Sequence, residues 1–147
     1  MAAAKNLDRR RLTVVAAVIE RDGQILIGQR RLGDWNQLKW EFPGGKMEPS
    51  EAPREALRRE LREELDIAAE IGEEIMRYEY QYPGKPPIQL IFFSVLHFQG
   101  DPKNLAFHDI RWEPAAHFHR YEFLDGDVDF VKRLARGERT ISPKSSA

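Results

Sequence analysis

The feature that most constrains this chain is a charged helical segment that cannot exist alone. From about Glu51 to Leu65, leucines recur every four residues at Leu57, Leu61 and Leu65. That spacing predicts a helix with one apolar stripe, which must be buried against something. Ser50 can cap it, and Pro53 is tolerated because it falls in the first turn. Away from that stripe, Glu60, Glu63 and Glu64 stand at i, i+3 and i+4. At 100° per residue they project within about 60° of one another. Three such carboxylates repel unless a cation sits among them. Hard oxygen ligands select magnesium, manganese or calcium over zinc or copper. The plain alternative is a solvated face, with Glu55–Arg59 and Arg59–Glu63 as ordinary i,i+4 pairs.

What surrounds the helix predicts strands. Leu12–Ile19 is rich in β-branched residues and leads into Asp22-Gly23, a hairpin turn, with a second strand over Gln24–Gln29. Arg9, Arg10 and Arg11 before that apolar run imitate a secretory leader. The run is too short and passes directly into Glu20-Arg21-Asp22-Gly23, so a strand entering a turn is the better reading. Arg30–Lys39 reads as a polar loop, Trp40–Phe42 as a short extended piece and Gly44-Gly45 as a flexible loop. Further extended segments are expected over Ile67–Ile75, Arg77–Gln81, Ile88–Phe98 and Ile110–Trp112, with a turn at Pro83-Gly84. Pro114 can begin a short helical turn, and a last helix is expected over Gly126–Arg136. Alternation of this kind predicts one α/β domain over residues 1–147, with flexible ends at about 1–10 and 142–147.

Composition removes several functions. The 147 residues carry a net charge of −1, so bulk attraction to a nucleic-acid duplex or an anionic membrane is not expected. No apolar run approaches the roughly 20 residues of a spanning helix. Cysteine is absent, which excludes disulfides, thiolate zinc sites and cysteine nucleophiles and fits a cytoplasmic location. A monomer and a dimer are both compatible with these features.

The spacing around the helix narrows the reading further. Gly45 is followed after five residues by Glu51, after seven more by Arg59-Glu60-Leu61, and after one more by Glu63-Glu64. This pattern resembles the signature of the Nudix hydrolase family. Trp40-Glu41-Phe42-Pro43-Gly44-Gly45-Lys46 looks like its MutT-like subgroup, which includes 8-oxo-dGTP diphosphatases and CTP pyrophosphohydrolases. The resemblance implies an α/β/α sandwich with a mixed central sheet, and a loop–helix–loop metal site. It implies Mg2+ (or Mn2+) held by Glu60, Glu63, Glu64 and the Gly45 carbonyl. It also implies Arg59 orienting the carboxylates with Glu51 as its partner, and Lys46 contacting phosphate. Arg30, Phe42 and Asp127 fall where MutT-like enzymes hold the nucleobase. The implied activity is hydrolysis of a nucleoside triphosphate, 8-oxo-dGTP first, to monophosphate and pyrophosphate. CTP or another nucleoside diphosphate derivative is the alternative, and a catalytically silent nucleotide sensor a more distant one.

Two positions depart from the family pattern. Asp66 replaces the usual glycine after the helix, where a left-handed conformation is expected. A further glutamate usually precedes the tryptophan matching Trp112, but Ala106, Phe107, His108 and Asp109 stand there. The general base is thus open between Glu51, Glu63 and a third group. His97, His117 and His119 suggest no metal set.

Overall fold

The computed structural model describes residues 12–138. The expected flexible ends at 1–10 and 142–147 lie outside them. The chain runs β1 (Leu12–Arg21), β2 (Gln24–Gln29), β3 (Trp40–Glu41), β4 (Gly44–Lys46) and α1 (Pro53–Leu65). It continues with β5 (Ala68–Glu70), β6 (Glu74–Tyr80), β7 (Ile88–Val95), β8 (His97–Gln99) and β9 (Asp109–Glu113). Two 3-10 turns at Ala115–Arg120 and Asp125–Asp127 precede α2 (Val128–Ala135). No helix among the described residues is long and apolar enough to cross a membrane.

The main sheet is mixed, in the order β3-β2-β1-β7-β6, with β4 joined to β1 and β9 to β2. β1 lies at its centre, parallel to β7 from Leu12↔Ile88 to Ile19↔Val95. Its alternate side chains enter two different cores. Val15, Ala17 and Ile19 pack with Leu57, Leu61 and Leu65 of α1. Ala16 and Val18 pack with Phe42, Phe92 and Phe130 on the side of α2. A strand covered on both faces must be apolar at every position, which is why Leu12–Ile19 shows no polar alternation. Each of the three fully buried leucines of α1 contributes about 1.5–3 kcal/mol by leaving water. The expected α/β/α sandwich is what forms.

The other edge of β1 is shared. Its first half pairs with β4 (Val15↔Gly45, Ala16↔Gly44), and its end pairs with β2 through Glu20↔Ile25 and Arg21↔Gln24. The two partners diverge, and the chain between them lines a cleft. Gly44-Gly45 is therefore strand and not a flexible loop. Gly44 has φ 153°, and a Cβ there would sit 2.0 Å from the Val15 carbonyl oxygen.

Local signals decide some turns and yield to tertiary pairing at others. Asp22 and Gly23 both take positive φ, 54° and 76°, as a tight hairpin turn needs. α1 begins at Pro53, two residues later than expected, and Ser50 does not cap it. The Ala52 N–H instead donates to the Glu55 carboxylate at 2.9 Å. The long strand expected over Ile88–Phe98 breaks at Leu96, because β8 leaves the main sheet to pair with β5. Asp66 adopts φ 55° and ψ 42°, the left-handed cap that its position in the sequence implied.

Candidate active site

With its leucine stripe committed to the core, α1 turns its glutamates toward β4. The Gly44 N–H donates to Glu64 Oε1 at 3.0 Å. Gly45 lies under Glu60, and a Cβ there would fall 2.5 Å from the Glu60 carboxyl carbon. The two glycines thus let strand and helix approach closely enough for their oxygens to share one space.

Arg59 organises the charges. It holds Glu51 with two parallel hydrogen bonds, Nε to Oε2 at 2.6 Å and Nη2 to Oε1 at 2.9 Å. Nη1 reaches Glu60 at 3.1 Å and Glu63 at 3.3 Å, and Nη2 also donates to the Lys46 carbonyl at 3.2 Å. These bonds hold the Glu51 carboxyl down at about 2, so Glu51 is anionic and fully engaged. Glu63 is the most open of the set, its side chain 57% exposed. Burial pushes Glu60 up, with Arg59 opposing, and lifts Glu64 to about 9, where the charge of Glu41 adds to the effect.

Among the described residues, no three histidine, aspartate or glutamate side chains converge on one metal-sized point. The donor set nonetheless fits magnesium or manganese. All its atoms are hard oxygens, and the Gly45 cradle leaves room for the Glu60 carboxylate. Glu64 is a half-buried acid that accepts a hydrogen bond from the Gly44 N–H and has an acid, Glu41, as neighbour, the environment that a bound cation relieves.

Beside this helix lies a cleft of about 620 Å3. Gly45, Lys46 and Glu64 line it together with Arg30, Phe42 and Asp127, so six of the residues singled out in the sequence meet in one place. Glu51, Arg59, Glu60 and Glu63 are not part of its lining. Phe42 is also a core residue, 3% exposed, with Phe123 stacked 5.7 Å away. Arg30 is committed within the protein. Its Nε donates to the Trp35 carbonyl at 2.7 Å, and its Nη1 contacts Glu41 at 3.2 Å. Asp127 is buried and accepts from the Phe42 backbone N–H; burial, with the charge of Glu41 adding to it, pushes its carboxyl well above the usual range.

Sequence reasoning missed Glu41, Trp35, Tyr82 and Lys85, all of which line the cleft. Glu41 carried a readable signal, an acid between Trp40 and Phe42 in a buried strand. Burial raises it to about 7 against the opposing charge of Arg30. Trp35 sits in an irregular loop, where periodicity says nothing. The two polar residues standing where the family's further glutamate is expected, His108 and Asp109, lie outside the cleft lining. Asp109 bonds its own neighbours, the Ile110 N–H and Arg111, and His108 is exposed. His117 Nδ1 lies 3.2 Å from Glu113, and His119 Nδ1 lies 3.0 Å from the Ala116 carbonyl.

Comparison with known proteins decides the family. The NUDIX domain model matches residues 9–134. The chain belongs to the Nudix hydrolase family. Within it, the chain is similar to the "8-oxo-dGTP diphosphatase" of Haemophilus influenzae, at 38% identity over 129 residues, 87% of this chain and 94% of that one. It is also similar to the "CTP pyrophosphohydrolase" of Escherichia coli, at 54% identity over 41 residues; that match spans 28% of this chain and 30% of the relative. The solution structure of the E. coli ORF135 protein superposes with a TM-score of 0.78 at 35% identity, covering 90% of this chain and 96% of that one. The MutT-like Nudix character read from Trp40–Lys46 is thereby established.

Proposed function

We propose that this Nudix hydrolase is a magnesium-dependent nucleoside triphosphate pyrophosphohydrolase acting on guanine-type nucleotides, 8-oxo-dGTP first. One observation carries the reading. The strand that cradles the acidic helix, Gly45-Lys46, lines the same cleft as Arg30, Phe42 and Asp127. A phosphate chain lying along β4 would deliver its nucleoside into that cleft.

Bound by Glu60, Glu63, Glu64 and the Gly45 carbonyl, magnesium would offset phosphate charge and acidify water. Arg59 fixes the carboxylates in their places, with Glu51 as its counter-charge. That bidentate pair removes Glu51 as a base and leaves Glu63, the exposed carboxylate, as the group that takes the proton of the attacking water. Lys46 offers an ammonium to the phosphates. Hydrolysis adds water at phosphorus, breaks one P–O bond and releases nucleoside monophosphate and pyrophosphate.

At the floor, burial favours the protonated form of Asp127, which would offer a donor beside an acceptor, and Glu41, raised to about 7, offers a second acceptor. 8-Oxoguanine presents donors at N1, N2 and N7 and an acceptor at O6, which these two groups match. A second reading has its own support. A protonated Asp127 would also pair with the amino group and N3 of cytosine, and the E. coli CTP pyrophosphohydrolase shares 54% identity over its short match. Initial rates with magnesium, reading pyrophosphate and phosphate separately, separate the two. We expect kcat/KM for 8-oxo-dGTP to exceed that for CTP by about ten- to a hundredfold, and Asp127→Ala to collapse the ratio. A wild-type preference for CTP, or an unchanged ratio in the variant, overturns the guanine reading.

A further inference from the structure

The cleft has an aromatic mouth that neither the metal helix nor the Asp127 floor explains. Trp35 lines the cleft yet is 43% exposed and belongs to neither hydrophobic core. Its indole meets Tyr82 edge to face, with centroids 4.7 Å apart. The Arg30 guanidinium carbon lies 5.7 Å from the indole centroid and Lys85 Nζ lies 5.2 Å from it.

The loop that carries Trp35 is held, and at a cost. Leu38 and Asn36 take positive φ, 65° and 54°. A leucine in the left-handed region is a strain that only surrounding bonds maintain. Those bonds are present. The Leu38 N–H donates to the Arg30 carbonyl, the Arg30 N–H to the Lys39 carbonyl, Gln29 Nε2 to the Leu38 carbonyl, and Arg30 Nε to the Trp35 carbonyl. One residue, Arg30, therefore ties the Trp35 backbone to Glu41 in the cleft wall. A large aromatic left partly in water, on a strained and braced loop at a pocket mouth, is placed for a partner that arrives from solution.

We propose that Trp35 is a substrate-binding residue that stacks on the nucleobase and thereby sets KM. The inference rests on the reading that this cleft takes a nucleotide. Stacking needs only a π-face, so it serves a purine or a pyrimidine and is independent of which base Asp127 selects.

The test compares Trp35→Ala, Trp35→Leu and Trp35→Phe on the nucleoside triphosphate that the wild type hydrolyses fastest, 8-oxo-dGTP or CTP. We expect KM to rise about tenfold in the alanine and leucine variants with kcat nearly unchanged, and the phenylalanine variant to recover most of the loss. The corresponding monophosphate, 8-oxo-dGMP or CMP, should quench wild-type tryptophan emission, and Trp35→Phe should lose that component although Trp40 and Trp112 remain. A purely structural Trp35 predicts lowered thermal stability with an unchanged KM, and that result overturns the proposal. So does a leucine variant that binds as well as phenylalanine, because apolar contact would then suffice. A wild type that prefers CTP removes the guanine reading alone and leaves this comparison to be decided on CTP.

Discussion

Two acidic regions lie within one site and solve opposite electrostatic problems. Around Arg59, three carboxylates share a single guanidinium, and its hydrogen bonds hold Glu51 anionic at about 2. Across the cleft, burial raises Glu41 and Asp127, Glu41 to about 7 against the opposing charge of Arg30. The first region keeps negative charge available for a cation. The second stores protons, and so can donate as well as accept hydrogen bonds. Glu64 stands between them: it lies on α1, yet its carboxyl is raised by burial like the acids of the cleft floor. Composition alone, an excess of glutamate, does not distinguish these behaviours; what each carboxyl touches does.

The largest expected effect tests the anionic side. Glu63→Gln and Glu64→Gln should each lower kcat by at least about 10²-fold at saturating magnesium, as for loss of a charge-stabilising element. Both should fold. The amide oxygen introduced by Glu64→Gln can still accept from the Gly44 N–H, and loss of the Glu63 charge costs Arg59 one exposed contact. Near-normal turnover in either variant, measured alongside circular dichroism, would make the two regions equivalent and remove the metal assignment.

The proton-storing side is tested by stability against pH. Asp127 and Glu41 have folded-state values above their ordinary 3.8 and 4.5. Groups raised on folding contribute stability that is complete below the ordinary value and lost as pH rises through the folded one. Glu41 therefore releases its share between about pH 4.5 and 7, and Asp127 releases its own from about pH 4 upward. Glu51 runs the other way, losing its share only as pH falls from 4.5 toward 2. Denaturant midpoints should fall for the wild type between pH 5 and pH 8, and fall less for Asp127→Asn. Parallel curves for the two proteins would mean that Asp127 is ionised in the folded state.

The contrast also explains what could be read from sequence. The Arg59 region is local: its residues lie within one helix, the strand before it and the short connection between them, so fixed spacings reveal it. The cleft floor joins Glu41 of β3 to Asp127, far along the chain, through a fold whose strand order is not sequential. The leucine and β-branched periodicities predicted most elements, while the breaks at Leu96 and Ser50–Ala52 depended on tertiary pairing and capping geometry. Glu41 left only an indirect trace, an acid set between the apolar Trp40 and Phe42, because burial gives it its role. Trp35 escaped notice because a braced loop has no period.

The smallest effect concerns the end of α1, where the sequence departs from its family. Asp66 caps α1 at φ 55° and ψ 42°, and its backbone N–H donates to the Arg62 carbonyl at 3.1 Å. A side chain in that conformation clashes with its own backbone, although aspartate tolerates it better than most residues. Against this stand two surface ion pairs, to Lys103 at 3.5 Å and Arg62 at 3.9 Å, of a kind that contributes little in water. Glycine would lose those pairs and gain relief from the strain, with some added freedom in the unfolded chain opposing it. The balance predicts that Asp66→Gly is neutral to stabilising, by up to about 1 kcal/mol, with kcat unchanged. Thermal melts at low and high salt check it. Salt should weaken the wild-type pairs, so the variant's advantage should grow as salt is added. A clear loss of stability that salt abolishes would mean that the ion pairs outweigh the backbone strain, and that this aspartate braces the helix electrostatically.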